Sequence, residues 1–280
     1  MRFMDDFANK TIVITGASAG VGAACARAFA AADANLVLAA RGGEALQAIC
    51  AELSSQTKVV GHRMDVADLE ACDALLAAAE TAYGAVHVLV NNAGMHERGS
   101  LESISARAVA DMVDINLRAP LYLSAAVIPL MQRAGEGAIV MVGSLAGLSP
   151  LAGAATYSGT KAGLRAFSFA LADELASSSI QMGIVSPGPI DTGFIMADID
   201  SVEDIVFSQP MSSPEEVADA VLDLARGKRI EIAMPGLSGK LSTLGYNFPV
   251  LRRRLRPLLY ALGRKNKRKY RRAQPSSPME

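Results

Sequence analysis

Residues Thr11–Gly22, TIVITGASAGVG, decide the fold. An apolar, β-branched run ends at Thr15 in a glycine-rich turn and passes straight into Ala-rich, helix-forming sequence. The spacing of Gly16, Gly20 and Gly22 is G-x3-G-x-G, a variant of the dinucleotide fingerprint rather than GxGxxG itself. Glycines let a backbone turn sharply and approach a pyrophosphate, while the helix that follows offers free N–H groups and the positive end of its dipole. Gly16, Ser18, Ala19, Gly20, Val21 and Gly22 therefore form a candidate phosphate cradle. Read alone, the same residues also fit a tight strand–helix turn without a ligand.

Outward from this turn, apolar strands alternate with helical patterns almost throughout. Strands are predicted at Thr11–Thr15, Asn35–Ala40, Lys58–Arg63, Val86–Asn91, Ala138–Val142, Gln181–Val185 and Ile230–Ala233. Helices are predicted near residues 20–32, 43–54, 68–83, 106–134, 155–178 and 214–227. Strands that are apolar on both faces and alternate with helices belong to a parallel sheet covered on both sides. Right-handed crossovers then give a doubly wound, Rossmann-type α/β domain over residues 1–235, with a C-terminal extension over 236–280.

Composition bounds the class. The chain has 280 residues, 51% of them hydrophobic, so it can bury a large core. Cys25, Cys50 and Cys72 sit in Ala-rich helical stretches and read as small core residues. His62, His87 and His96 lack metal-ligand spacing, so no metal site is expected. The opening MRFMDDFANK has no apolar core for a secretory leader. The longest uncharged run, Gly137–Thr160, is broken by glycines and Pro150 and reads as a strand and loop. A cytoplasmic protein is expected.

In doubly wound sheets ligands bind beyond the carboxyl ends of the strands. The second strand ends in Arg41 where an acid would hold the ribose 2′-hydroxyl of NAD. A guanidinium there suits a 2′-phosphate, so NADP(H) is favoured and NAD(H) stays open. A solvated arginine, paired with Glu44, is the plainer alternative. Asp65 and Val66 follow the third strand, with Asp65 placed to accept from an adenine amino group. Asn92, Ala93 and Gly94 follow the fourth and can pack against a ribose. Past the sixth strand, Pro187, Gly188, Ile190 and Thr192 form a rigid turn able to fix a nicotinamide carboxamide.

Tyr157 and Lys161 are four residues apart, on one helix face. A cation held about 4 Å from a phenol gains on the order of 4 kcal/mol at an effective dielectric of 20. That is enough to lower a phenol pKa from about 10 to about 7, where it exchanges protons near neutrality. Ser144, thirteen residues earlier, can hydrogen-bond a substrate oxygen. Asn116, polar between Ile115 and Leu117, either supports a water relay through its side chain or a local kink, or is a satisfied buried amide.

TGASAGVG, Asp65, NNAG, Asn116, Ser144, Tyr157-x3-Lys161 and PGPIDT occur in an order and spacing that resemble the short-chain dehydrogenase/reductase family, over about residues 8–235. The resemblance implies a general acid/base at Tyr157, with Lys161 lowering its pKa and holding the nicotinamide ribose. It implies that Ser144 and Asn116 position the substrate oxygen and a relay water. It also implies a homodimer or homotetramer through the helices at 106–134 and 155–178. The activity implied is hydride exchange between a nicotinamide and a small-molecule carbonyl or alcohol. A non-catalytic NADP-binding scaffold and a membrane-surface adaptor are the rival classes.

Residues 193–213 correspond to the family's variable lid. They are rich in Phe, Ile, Val and Met and carry four acids, favouring a hydrophobic, non-anionic substrate. Residues 240–280 hold 12 of the 27 Lys and Arg but one acid, Glu280, a balance of +11 against −12 for the rest. Leu251, Leu255, Leu258, Leu259 and Leu262 form one helical stripe, with Arg252, Arg253, Arg254 and Arg256 on the other sides. Pro257 is expected to kink this helix and Gly263 to end it. Residues 248–272 fit peripheral contact with an anionic membrane, or packing of the stripe on the protein's own body. Nucleic acid is disfavoured by the acidic body and by aromatics of only 5%.

Overall fold

Seven strands run parallel in the order β3-β2-β1-β4-β5-β6-β7. They are β1 (Thr11–Thr15), β2 (Asn35–Ala40), β3 (Val59–Arg63), β4 (Val88–Asn91), β5 (Gly137–Val142), β6 (Ile180–Pro187) and β7 (Glu231–Met234). This computed structural model describes Met4, residues 6–196 and residues 199–273; several side chains within that range, Phe194, Met196, Leu251 and Arg252 among them, lie outside the description. No helix among the described residues is long and apolar enough to cross a membrane.

Successive strand residues feed opposite cores, as a parallel sheet buried on both faces requires. Ile12, Ile14, Leu36 and Leu38 face α1 (Gly20–Ala30), α2 (Gly43–Leu53) and α8 (Pro214–Ala225). Val13, Val37 and Leu89 face α3 (Leu69–Tyr83), α5 (Ala119–Ala134) and α6 (Ala155–Glu174). Cys25 and Cys72 are buried in these two layers and Cys50 is half-buried. The chain reverses its direction of winding between β1 and β4, so the crevice above those two strands is the place for a ligand.

The long helix expected at 106–134 is interrupted. α4 (Ala106–Val113) passes through a π turn at Asp114–Arg118 before α5 begins, and Asn116 sits in that turn. π turns widen a helix locally and free a carbonyl, a recurrent feature of functional sites.

After β6 the chain forms a lid closed at its base by a bridge between Ile190 and Ser212. The lid holds α7 (Gly193–Met196) and two short 3-10 turns, Ile199–Ser201 and Asp204–Ser208. Ile195, Ile199, Val202 and Phe207 give it a small core of its own.

The C-terminal extension differs from expectation. α9 (Gly236–Asn247) is followed by α10, a single helix over Pro249–Ala273 that runs through both Pro257 and Gly263. Gly263 does not end it because tertiary contact supplies what local preference opposes. A Cβ at Gly263 would lie 1.8 Å from the Asp204 carbonyl oxygen, so glycine is the residue that lets α10 lie against the lid. The contact is tied polar group by polar group. The Asn266 amide donates to the Phe207 carbonyl at 2.9 Å, and Lys267 Nζ donates to Val202 O at 2.6 Å and stands 3.6 Å from the Asp204 carboxylate. Arg271 pairs with Asp200 at 2.9 Å, and the Tyr260 hydroxyl donates to Glu203 at 3.1 Å. The acids of the lid thus meet the cations of the tail.

Candidate active site

The glycine turn after β1 is built by contacts with the turn after β4. Gly16 has φ +65°, and a Cβ there would stand 2.9 Å from Ala93 Cα. Gly22 lies under the Gly16 carbonyl oxygen, 2.1 Å from where its own Cβ would be. Asn92 Nδ2 donates to the carbonyls of Thr15 and Gly16 at 2.9 and 3.0 Å. The Thr15 hydroxyl in turn accepts from the N–H groups of Asn92 and Ala93, both at 3.1 Å. The Asn92 side chain therefore braces the glycine turn, and Thr15 is a supporting residue that sequence reading did not single out. Ala19 caps α1 with no side-chain hydrogen bond, leaving the first N–H groups of that helix open toward the crevice.

One cavity of about 900 Å³ runs from this turn to the lid. Gly16, Ala19, Gly20, Val21, Asn92, Ala93 and Gly94 line one end, and Pro187, Gly188, Ile190 and Thr192 its flank. Thr192 closes over the turn, its methyl 3.3 Å from a Cβ built at Gly20. Ser144, Tyr157 and Lys161 line the middle, and Ile195, Val202, Ile205 and Val206 of the lid line the far side. Leu244 of α9 and Leu255 and Leu259 of α10 complete the wall, so the extension roofs the cavity. Ser18, Gly22, Arg41, Asp65, Val66 and Asn116 are not in its lining.

Arg41 and Asp65 stand at the adjacent ends of β2 and β3, with the guanidinium 4.0 Å from the carboxylate. The partner of Arg41 is thus Asp65, not Glu44, because strand register places β3 beside β2 whereas Glu44 has moved into α2. Arg63, opposite Ala40 in that register, donates from Nε to the Arg41 carbonyl at 3.2 Å. Two arginines therefore flank the position beyond β2. The sequence signal for Arg63 was the predicted strand itself, whose end falls level with the end of β2. The other Asp65 oxygen accepts from the Ala67 N–H at 3.0 Å.

At the centre, Ser144 and Tyr157 line the same stretch of the cavity, the Ser144 hydroxyl close enough to the phenol to favour its ionised form. Ser144 is held by the turn after β5, its hydroxyl accepting from the Ala146 N–H at 3.1 Å. Lys161, one turn along α6 from Tyr157, is buried and donates from Nζ to the Val142 carbonyl at 2.8 Å. Desolvation pushes its pKa down to about 8. The expected lowering of the phenol by Lys161 is not what this geometry produces. Burial raises the Tyr157 pKa, while the Ser144 hydroxyl and the Arg98 charge oppose the rise. The reason is placement: the ammonium is 5.8 Å from the Tyr157 ring centroid and anchored on Val142.

Asn116 is a satisfied buried amide. Its Oδ1 accepts from the Met95 N–H and its Nδ2 donates to the Met95 carbonyl, both at 2.8 Å. It thereby ties the π turn to the segment after Gly94. That segment also supplies a residue the sequence reading considered only as a metal ligand. The His96 ring stacks on Tyr157, centroids 4.2 Å apart and planes 15° off parallel. Burial and the nearby Arg98 and Lys161 charges push His96 down to about 4, so it is neutral at physiological pH.

The family model for short chain dehydrogenases matches residues 10–202 of this chain. The chain belongs to the short-chain dehydrogenase/reductase family. It is 33% identical over 224 residues to a 3-oxoacyl-[acyl-carrier-protein] reductase of Escherichia coli, covering 79% of this chain and 91% of the relative. It is 32% identical over 235 residues to a ketoacyl reductase of Nostoc, covering 82% and 79% respectively. A crystal structure of a short-chain dehydrogenase/reductase from Mycobacterium marinum superposes with a TM-score of 0.76 at 27% identity, over 82% of this chain and 96% of that one. As a member of this family the chain is an oxidoreductase of the NAD(P)-dependent kind.

Proposed function

We propose that this short-chain dehydrogenase/reductase exchanges hydride, with NADP(H) favoured, with a ketone or secondary alcohol carried on an apolar substrate. The observation that carries this reading is the convergence of Ser144, Tyr157 and Lys161 midway along one cavity between a braced glycine turn and an apolar lid. The glycine turn and the open N-terminus of α1 fit a pyrophosphate, and the Arg41–Arg63 pair fits a 2′-phosphate. Bound there, a nicotinamide dinucleotide supplies or accepts the hydride.

The chain's own residues handle the oxygen. The Tyr157 hydroxyl gives its proton to the carbonyl oxygen in reduction and takes it back in oxidation. The Ser144 hydroxyl orients that oxygen and stabilises charge developing on it. Lys161 holds a cation behind the pair. Asn116 keeps the wall beside them in place through Met95, and His96 fixes the plane of the phenol. The ketoacyl and 3-oxoacyl reductases among its relatives point to a ketone on an acyl chain, and the Ile and Val side chains of the lid suit such a chain. A homodimer or homotetramer through the helical segments 106–134 and 155–178 is part of the same reading.

The test pairs binding with turnover. Titration with NADPH and NADH, followed by nicotinamide fluorescence, should show NADPH binding at least tenfold tighter. Arg41→Ala should erase that difference by weakening NADPH alone. With a medium-chain ketone, Tyr157→Phe should keep NADPH affinity and lose turnover by a factor of about 10² to 10⁴. Equal binding of the two cofactors sinks the NADP(H) preference, and retained turnover in Tyr157→Phe sinks the assigned chemistry.

A further inference from the structure

Among the described residues nine large apolar side chains are exposed, and six of them fall between Leu244 and Leu262. Leu258 is 67% exposed, Val250 63% and Phe248 56%. The lid accounts for only one side of α10. Tyr260, Gly263, Lys267 and Tyr270 follow i, i+3, i+7 and i+10 and take the lid contacts. Leu258 and Leu262 stand outside that arc.

The exposed side is also charged. Arg254, Lys265 and Lys269 lie four residues before, seven after and eleven after Leu258, which puts them on its side of the helix. Arg264, Lys265, Arg268 and Lys269 line a shallow recess of about 400 Å³ on the outer surface. No acid occurs in α10 to neutralise them. The two features are continuous. The outer face of α10 carries its leucines toward the N-terminal end, with Arg254 among them and Leu255 also lining the cavity, and is cationic toward its C-terminal end.

We propose that the outer face of α10 docks the enzyme on an anionic bilayer, the leucine end entering the interface and the cationic end lying on the headgroups. Both halves of the face are then satisfied: leucines leave water, and cations meet anionic lipid. A second copy of the chain fits worse, since apposing two such faces brings like charges together. Leu244 and Leu255, at once exposed and lining the cavity, place the cavity's rim on the docking side.

Sedimentation of the full chain with sucrose-loaded vesicles tests this without reference to turnover. With phosphatidylcholine containing 30% phosphatidylserine, partitioning should exceed that on pure phosphatidylcholine at least tenfold. A basic residue near an anionic surface contributes about fivefold, so Lys265→Ala/Lys269→Ala should weaken partitioning about tenfold or more. Leu258→Ser/Leu262→Ser should also weaken it about tenfold while leaving the circular dichroism and NADPH binding unchanged. Wild-type protein that stays in the supernatant overturns the proposal. So does a serine variant that sediments like wild type, since the contact would then be charge alone. If wild type ignores vesicles but the serine variant loses mass by light scattering, the face is a contact between copies and the proposal fails.

Discussion

Lys161 illustrates how one buried side chain sets function against stability. Desolvation holds its pKa at about 8, against an ordinary 10.5. Below pH 8 the fold carries a buried cation at full penalty. Between pH 8 and 10.5 the unfolded chain binds the extra proton, so this group's contribution to stability rises with pH. Lys161→Met should therefore abolish turnover yet stabilise the protein at pH 7. The gain should be about 1–2 kcal/mol once the Val142 carbonyl has lost its donor, and it should shrink as pH rises from 8 toward 10.5. Urea midpoints across pH give the answer, and a destabilised variant at pH 7 refutes the argument. His96 acts at the other end of the scale. Its folded pKa of about 4 lies below its usual 6.5, so the unfolded chain takes up the proton first and stability falls as pH drops from 6.5 to 4. His96→Phe keeps a ring stacked on Tyr157 and should flatten that acid slope.

At the level of elements, the informative helices are those that break local rules. The π turn at Asp114–Arg118 places Asn116 where its amide can bind both polar groups of Met95, fixing the segment that carries His96. α10 keeps Pro257 and Gly263 in its interior because it packs on the lid through Gly263. Gly263→Ala puts a methyl group against the Asp204 backbone, which no flexible side chain can relieve. The expected result is an α10 lifted from the lid, a loss of about 1–3 kcal/mol in that contact, and a raised KM with little change in cofactor affinity. Amide exchange in residues 199–208 and 255–271 should quicken together. Unchanged exchange there would mean the helix absorbs the methyl by a small slide.

The whole molecule divides into an acidic body and a basic tail that meet at the lid. Lys267–Asp204, largely buried, and Arg271–Asp200, exposed, join them, and the exposed pair weakens as salt screens it. The sheet is held instead by apolar cores on both faces. Raising salt from 0.05 to 0.5 M should therefore speed exchange in α10 and the lid several-fold and leave β1, β4 and β5 unaffected. Uniform change across the protein would show that the tail and sheet open as one unit. Because α10 forms part of the cavity wall, KM for an apolar ketone should rise over the same salt range.

What the sequence determined by itself is the sheet and the order of the central residues. β1 and β2 are bounded as read, and the other five strands shift by one or two residues at their ends, because two-faced apolar runs closed by turn residues are local signals. The helical spacing of Tyr157 and Lys161 was equally legible, since four residues along a helix need no knowledge of the rest of the chain. Only the tertiary structure decided which groups face one another across long separations. It stacked His96 on Tyr157, set Arg63 beside Arg41 through strand register, and turned Asn92 inward to hold the glycine turn. It also carried α10 through a proline and a glycine to lie on acids some sixty residues earlier. None of these contacts has a periodic trace, because each depends on where two distant segments arrive in space.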